Sequence, residues 1–334
     1  MALPAGIRNY SYAEDKAVFR TRTRKFLLAV VLLLLLLSPL WLSTYWLGMV
    51  SLIGITIIAA TGLNMITGYS GQLSFGHAGF IAVGAYTAAI LTGKYNQPFF
   101  VGLIAAGLIT GMLGMIVGLP SWKNKGWLMA LVTIVAQLII LWVINNWWGM
   151  TGGRDGLSVS ATSFATTAKG QYFLIIIIMI LTIFFANNLV RMRIGRAFVA
   201  IRDNERAAQA MGINLLRNKL LALFVGCAMA GTAGALLAHW TGSINSSMFG
   251  FSESFFYIAI LVIGGFGNMW GVIPGAIILR LLTNQLAPAI QGKNMQPTDV
   301  ASVVGLIAVV VVAVLMLVIV SNRRKEGWRR LKGK

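Results

Sequence analysis

The sequence predicts an all-α fold: a polytopic transmembrane helix bundle of about eight to ten spans, some of them broken or re-entrant. Three observations predict it. Hydrophobic residues make up 58% of the 334-residue chain and charged residues only 10%, with a mean hydropathy of +0.81. That leaves too little polar surface to coat a water-soluble globule. The apolar residues are gathered into runs close to the roughly 20 residues an α-helix needs to cross a bilayer. Twenty of the 27 lysines and arginines fall in three clusters outside those runs.

Ten candidate spans follow in order: 26–42, 45–66, 73–91, 99–119, 127–147, 172–190, 220–240, 255–266, 272–286 and 301–320. The eighth and ninth are short for a bilayer and flank the glycine-rich IGGFGNMWG. They are either broken or re-entrant spans, or spans whose boundaries lie a few residues further out. The chain divides into a basic N-terminus (1–25), a single transmembrane domain (26–320) and a basic tail (321–334). The longest polar inserts are 191–219 and 149–170.

Charge sets the expected orientation. The three basic clusters, 8–25, 191–219 and 323–334, belong on the cytoplasmic side by the positive-inside rule. Six spans separate the first cluster from the second and four the second from the third, an even parity that a single topology satisfies. Both termini are then cytoplasmic, in a multi-pass membrane protein. Segments 151–169 and 292–299 face outward. The net charge of +19 is explained by topology rather than by nucleic-acid binding. A basic start followed by an apolar run also fits a secretion signal, but the run continues through SPLWLS without a small-x-small cleavage site, so an uncleaved first span is expected.

Residue types narrow the function. All eight acids, Glu14, Asp15, Asp155, Asp203, Glu205, Glu253, Asp299 and Glu326, lie outside or at the edge of the candidate spans. Proton- or sodium-driven carriers usually need a buried carboxylate, so ion coupling is disfavoured. Arg280 is the cation placed deep in a span, and it is expected to snorkel or to face a neighbouring helix. His77 and His239 belong to no metal-binding or catalytic pattern, and the single Cys227 has no intrachain partner. No catalytic residue, metal site or cofactor is therefore assigned to the chain. GQLSFGHA (71–78) has the glycine spacing of a phosphate-binding loop, but His77 and Ala78 replace the lysine and hydroxyl residue that such a loop requires. Any ATP would have to be hydrolysed by another polypeptide.

Two glycine-rich junctions and one loop remain. GLNMITGYSGQLSFGHAGFIAVGAY (62–86) alternates glycines with Asn64, Ser70, Gln72, Ser74 and His77. Its glycines allow close helix approach or an unwound turn, and its polar groups are costly against lipid, so they should face protein or a water-filled path. The second junction spans 264–275. In the 191–219 loop, Asp203 is expected to cap a short helix over 204–211 that ends at Gly212 in a left-handed conformation. Ala207, Ala208 and Ala210 give it small contact surfaces. A helix of about two turns is marginal alone and needs something to dock on.

Four motifs taken in order, the 62–86 junction with its continuation TAAIL, TGGRDGL (151–157), GRAFVAIRDNERAAQAMGIN (195–214) and IGGFGNMWGVIPGA (263–276), resemble the branched-chain amino acid permeases of bacterial ATP-binding cassette importers, and most closely the larger of their two permease subunits. The resemblance covers 61–286. It implies a transport subunit for leucine, isoleucine and valine, working by alternating access with a second homologous permease subunit, two cytoplasmic ATPase subunits that carry the ATP, and an external substrate-binding protein. It also implies that Arg202, Asp203, Glu205, Ala207, Ala208 and Gly212 form the ATPase-coupling loop. There Ala207, Ala208 and Gly212 match an EAA-x-x-x-G pattern, while Arg206 stands where glutamate is usual. Urea and short-amide permeases share much of the same pattern and are the competing substrate class, with an ion-coupled carrier behind them. A zwitterionic substrate with an apolar tail needs polar groups along its path, and Asn64, Gln72, Ser74 and His77 are the lining candidates.

Overall fold

A computed structural model describes residues 35–121, 126–159 and 167–286. The tenth candidate span, the first span up to residue 34, the basic N-terminus and tail, and Lys123 and Lys125 lie outside the described residues; the described end of the first span holds a 3-10 turn, Ser38–Leu40. Helix α1 (Thr44–Leu63) continues into a π-helical stretch, Asn64–Tyr69. Helices α2 (His77–Gly93), α3 (Phe99–Gly118) and α4 (Gly126–Asn146) follow. The short α5 (Trp148–Thr151), β1 (Leu157–Ser158) and the long α6 (Ala168–Arg191) come next. After α6 the chain forms α7 (Arg193–Asp203) and α8 (Glu205–Ala210), then α9 (Leu215–Thr241). The described residues end with β2 (Ser243–Ile244), α10 (Phe251–Gly264), α11 (Val272–Leu281) and a π-helical turn, Leu282–Leu286.

Five of these helices, α1, α3, α4, α6 and α9, are long and apolar enough to cross a membrane. They divide into core and rim. The most apolar window of α1 is 89% buried and that of α9 61%, against 28–33% for α3, α4 and α6. The reason lies in residue size. In lipid, helices associate through close packing rather than through the hydrophobic effect, and small residues permit it. Gly62 faces Gly226 so closely that a β-carbon would stand 2.4 Å from the Gly226 carbonyl oxygen, and Gly84 meets Gly231 in the same way at 2.3 Å. The rim helices instead turn large side chains outward: Ile104, Leu108 and Met112 on α3, Leu138 and Trp142 on α4, Leu181 and Phe184 on α6.

Three departures from the sequence reading have physical causes. The third span begins at His77, not near 73, because 70–76 leaves the helix. Gly71 takes a left-handed φ of +74°, and the Phe75 amide donates to Thr133 Oγ1 on α4 at 3.0 Å instead of to its own helix. The eighth span starts at Phe251, four residues before the expected boundary, so it is a shorter helix than a full span but longer than read. The first half of the 191–219 loop is the helix α7, whose Gly195, Phe198 and Ile201 are buried. Its Ile194, Phe198 and Ile201 carry the helical spacing that marks an amphipathic segment.

The two ends of the bundle are closed differently. At the end away from α7, β1 and β2 pair antiparallel with Leu157 opposite Ile244, and the Val159 amide donates to the Gly242 carbonyl at 2.8 Å. Thr151 Oγ1 donates to the carbonyls of Ile144 and Trp147, and Lys94 Nζ reaches the Gly149 carbonyl.

Candidate functional site

At the other end, the π-helical stretch of α1, the unwound 70–76 segment, α7, α8 and the 265–271 turn meet. A π-helical stretch carries an extra residue per turn and is held by the packing around it. Here Asn64 does the holding: its Oδ1 accepts from the Gly267 amide at 2.9 Å, and its amide nitrogen lies 3.9 Å from Met269 Sδ. Gly68 fits because a β-carbon there would collide with Asn64 Oδ1 and the Gly267 amide. Ser70 Oγ returns to the Ile66 carbonyl at 2.8 Å, and Gln72 Nε2 donates both to Ser70 Oγ (2.7 Å) and to the Lys219 carbonyl (3.1 Å).

The four lining candidates lie in sequence along this junction, Asn64, Gln72 and His77 each with partners other than one another, and none of the four is more than 5% exposed. Asn64 and Gln72 have the partners just given. His77 Nε2 lies 2.9 Å from the Ala59 carbonyl, which can only accept, so this nitrogen carries the proton and Nδ1 is left as an acceptor. Among the described residues, that Nδ1 and the Ser74 hydroxyl are buried without a partner. The His77 ring stands edge-on to Tyr257, centroids 5.7 Å apart. Two polar atoms are thus unsatisfied beside the start of α2, in a bundle where such groups are costly.

Residues missed by sequence reasoning complete the junction. The Ala78 amide, in the first turn of α2, donates to Ser254 Oγ at 3.0 Å. Ser254 donates to Gln137 Oε1 at 2.9 Å, and Gln137 Nε2 donates to the Phe249 carbonyl at 3.0 Å. The available signal was Gln137 itself, a polar residue in the apolar run of the fifth span.

The coupling candidates separate into those that face the bundle and those that face away. Arg202 Nη1 donates to the Gly68 carbonyl at 2.8 Å, while its Nε and Nη2 both reach Asp203 Oδ1 at 3.1 Å. Glu205 accepts from Lys219 Nζ at 2.8 Å, and the lysine is buried. Ala208 is buried against its own chain. Ala207, Gln209 and Ala210 are exposed, as is Met211 at 83%. Gly212 ends the helix at φ +80°, with open space where a β-carbon would point. The cap is a correction: α7 runs through Asp203, so the first extended residue is Asn204, and its Oδ1 accepts from the Arg206 and Ala207 amides.

Arg280 does face a neighbouring helix. Its Nε donates to Thr56 Oγ1 on α1 at 2.8 Å, its Nη2 pairs with Glu253 Oε1 at 2.6 Å, and its guanidinium lies 4.3 Å from the Phe256 ring centre. Glu253 sits in the first turn of α10, within the helix rather than before it. Among the described residues no three His, Cys, Asp or Glu side chains gather as a metal ion would require.

The sequence profile described as the branched-chain amino acid transport system permease component matches residues 45–320. The high-affinity branched-chain amino acid transport system permease protein LivM of Escherichia coli is 33% identical, over 78% of this chain and 68% of its own length. The probable branched-chain amino acid transport permease protein LivM of Methanocaldococcus jannaschii is 25% identical, over 67% of this chain and 76% of its own. The high-affinity permease protein LivH of Salmonella typhimurium is 27% identical over 66% and 78%. No solved structure matches the chain.

Proposed function

The chain belongs to the family of branched-chain amino acid transport system permease components, and from that membership we propose that it carries leucine, isoleucine and valine across the membrane on ATP hydrolysed by partner subunits. It is a multi-pass membrane protein and a transport subunit rather than an enzyme, without a cofactor of its own. The observation that carries the substrate reading is the LivM likeness, 33% identity over 78% of the chain.

The system partners are a second, homologous permease subunit, two cytoplasmic ATPase subunits and an external substrate-binding protein. Both LivM and LivH relatives match the chain, which supports pairing with a similar subunit. The ATPases meet the outward face of α8, Ala207, Ala210 and Met211, whereas Ala208 supports that helix from behind. Asn64, Gln72, Ser74 and His77 line the path when it opens. In the conformation described they are sealed, and the unpartnered Ser74 hydroxyl and His77 Nδ1 are the groups with hydrogen-bonding capacity to offer a zwitterion.

Vesicles containing the complete complex should take up leucine only when ATP is supplied, and uptake should persist after the proton gradient is collapsed. Gradient-driven uptake by this chain alone would overturn the reading. Orientation rests on the basic clusters: reporters fused at Asn204 and near Lys334 should both score cytoplasmic and one at Asp155 external. Opposite signals at Asn204 and Lys334 would show an odd number of spans between them.

A further inference from the structure

We infer that Arg202 is the positioning residue through which movement of the coupling segment reaches the translocation path, by gripping the Gly68 carbonyl where α1 turns from helix into the unwound segment; this rests on the permease reading above. Arg202 is one of the coupling candidates and is exposed overall, yet one corner of its guanidinium reaches the backbone of the bundle. Its Nη1 donates to Gly68 at 2.8 Å, and its stem lies on Gly71, whose β-carbon, if it had one, would stand 3.2 Å from the Arg202 Cα. On the other side, a β-carbon at Gly267 would stand 2.7 Å from Nη1. Gly71 and Gly267 have φ of +74° and +71°, so the backbone there both requires glycine and leaves the guanidinium its slot. Asp203 takes the remaining edge of the fork and fixes its direction.

What Arg202 grips is the part of the span most able to change. Gly68 belongs to the π-helical stretch, and such a stretch can return to α-helical register by shifting its hydrogen bonds, which rotates the residues that follow. Those residues are the unwound segment and its lining candidates. A second contact works in the same sense: Glu205 at the start of α8 holds Lys219, whose carbonyl receives Gln72. The α7–α8 unit therefore holds the junction at Gly68 directly and at Gln72 through Lys219 of α9. A push on α8 has a direct route to the path that does not pass through the glycine-packed core. If Arg202 served only as one more positive charge enforcing orientation, neither the fork geometry nor the two flanking glycines would matter.

The test uses the complete complex in vesicles, with Arg202→Lys and Arg202→Gln. Lysine keeps the charge but cannot bond Gly68 and Asp203 together as a planar fork does. Both variants should bind the ATPases in normal stoichiometry and keep hydrolysing ATP. Leucine taken up per ATP should fall roughly tenfold or more in the glutamine variant, the scale of one hydrogen bond from a charged donor, and by less in the lysine variant. Amide exchange across 64–76 should respond to ATP in the unaltered complex and lose that response in Arg202→Gln. Unchanged uptake per ATP, hydrolysis and uptake falling together, or loss of assembly in both variants would each overturn the inference, the last by making Arg202 a folding residue. Absence of ATP-dependent uptake in the unaltered complex would instead sink the permease reading on which it rests.

Discussion

The two ends of the bundle are tied by different kinds of bond. At the β1–β2 end the segments far apart in sequence are joined from backbone to backbone, by the ladder between Leu157 and Ile244 and by Val159 to Gly242, with the Thr151 and Lys94 side chains bonding carbonyls beside it. At the α7 end they run from side chain to backbone: Arg202 to Gly68, Asn64 to Gly267, Gln72 to Lys219. A backbone pair can be exchanged only by moving the chain itself. A side-chain donor can let go of one carbonyl and find another at the cost of a rotamer. The first end is built to keep its shape and the second to change it, which suits the proposed arrangement, with ATPases acting at the α7 end and a binding protein at the other.

The largest effect should come from breaking the rigid end. Gly156 has φ +78°, and a β-carbon there would lie 2.0 Å from the Ile244 carbonyl oxygen. Gly156→Val combines a left-handed backbone forbidden to a β-branched residue with a clash against the ladder, together on the order of 3 kcal/mol or more. Thermal unfolding of the purified complex should shift down, and protease should cut within 150–159. An unchanged melting profile would mean that the ladder is ornamental, and the contrast between the ends would collapse.

The sequence carried some of this contrast and not the rest. The apolar runs revealed the long helices because lipid leaves the residues of a span little choice but to be apolar. Glycines and polar residues between 62 and 86 marked a junction, yet the point of unwinding depends on Thr133 capturing the Phe75 amide, a contact between residues 58 positions apart that no local pattern encodes. The helix α7 was legible in the spacing of Ile194, Phe198 and Ile201, and the basic residues around them masked it as a connector. Arg202 was picked out as part of the coupling loop, but its inward direction depends on where α7 docks. Ala208 shows the same limit: its small size is equally suited to a partner's groove and to its own chain, and in the fold it is buried against its own chain.

The smallest effect should come from the adaptable end, at the cap of α8. Asn204 accepts from two amides in the first turn of that helix, whereas Asp203 is the last residue of α7 and bonds to Arg202. Asn204→Ala removes the cap and should cost about 1 kcal/mol locally, too little to unfold the bundle but enough to fray a helix of six residues that is marginal alone. ATPase co-purification should weaken several-fold while expression and the melting profile stay as they were. Asp203→Ala leaves that cap in place and frees the guanidinium of Arg202, so it should spare ATPase binding and lower uptake per ATP instead. The two neighbours thus separate holding the motor from passing on its movement. Should both variants lower ATPase binding alike, α7 and α8 act as one docking surface and the division between inward and outward residues fails. Should Asn204→Ala leave binding untouched, α8 is fixed by Glu205 and Lys219 alone, and the cap contributes nothing that the motor reads.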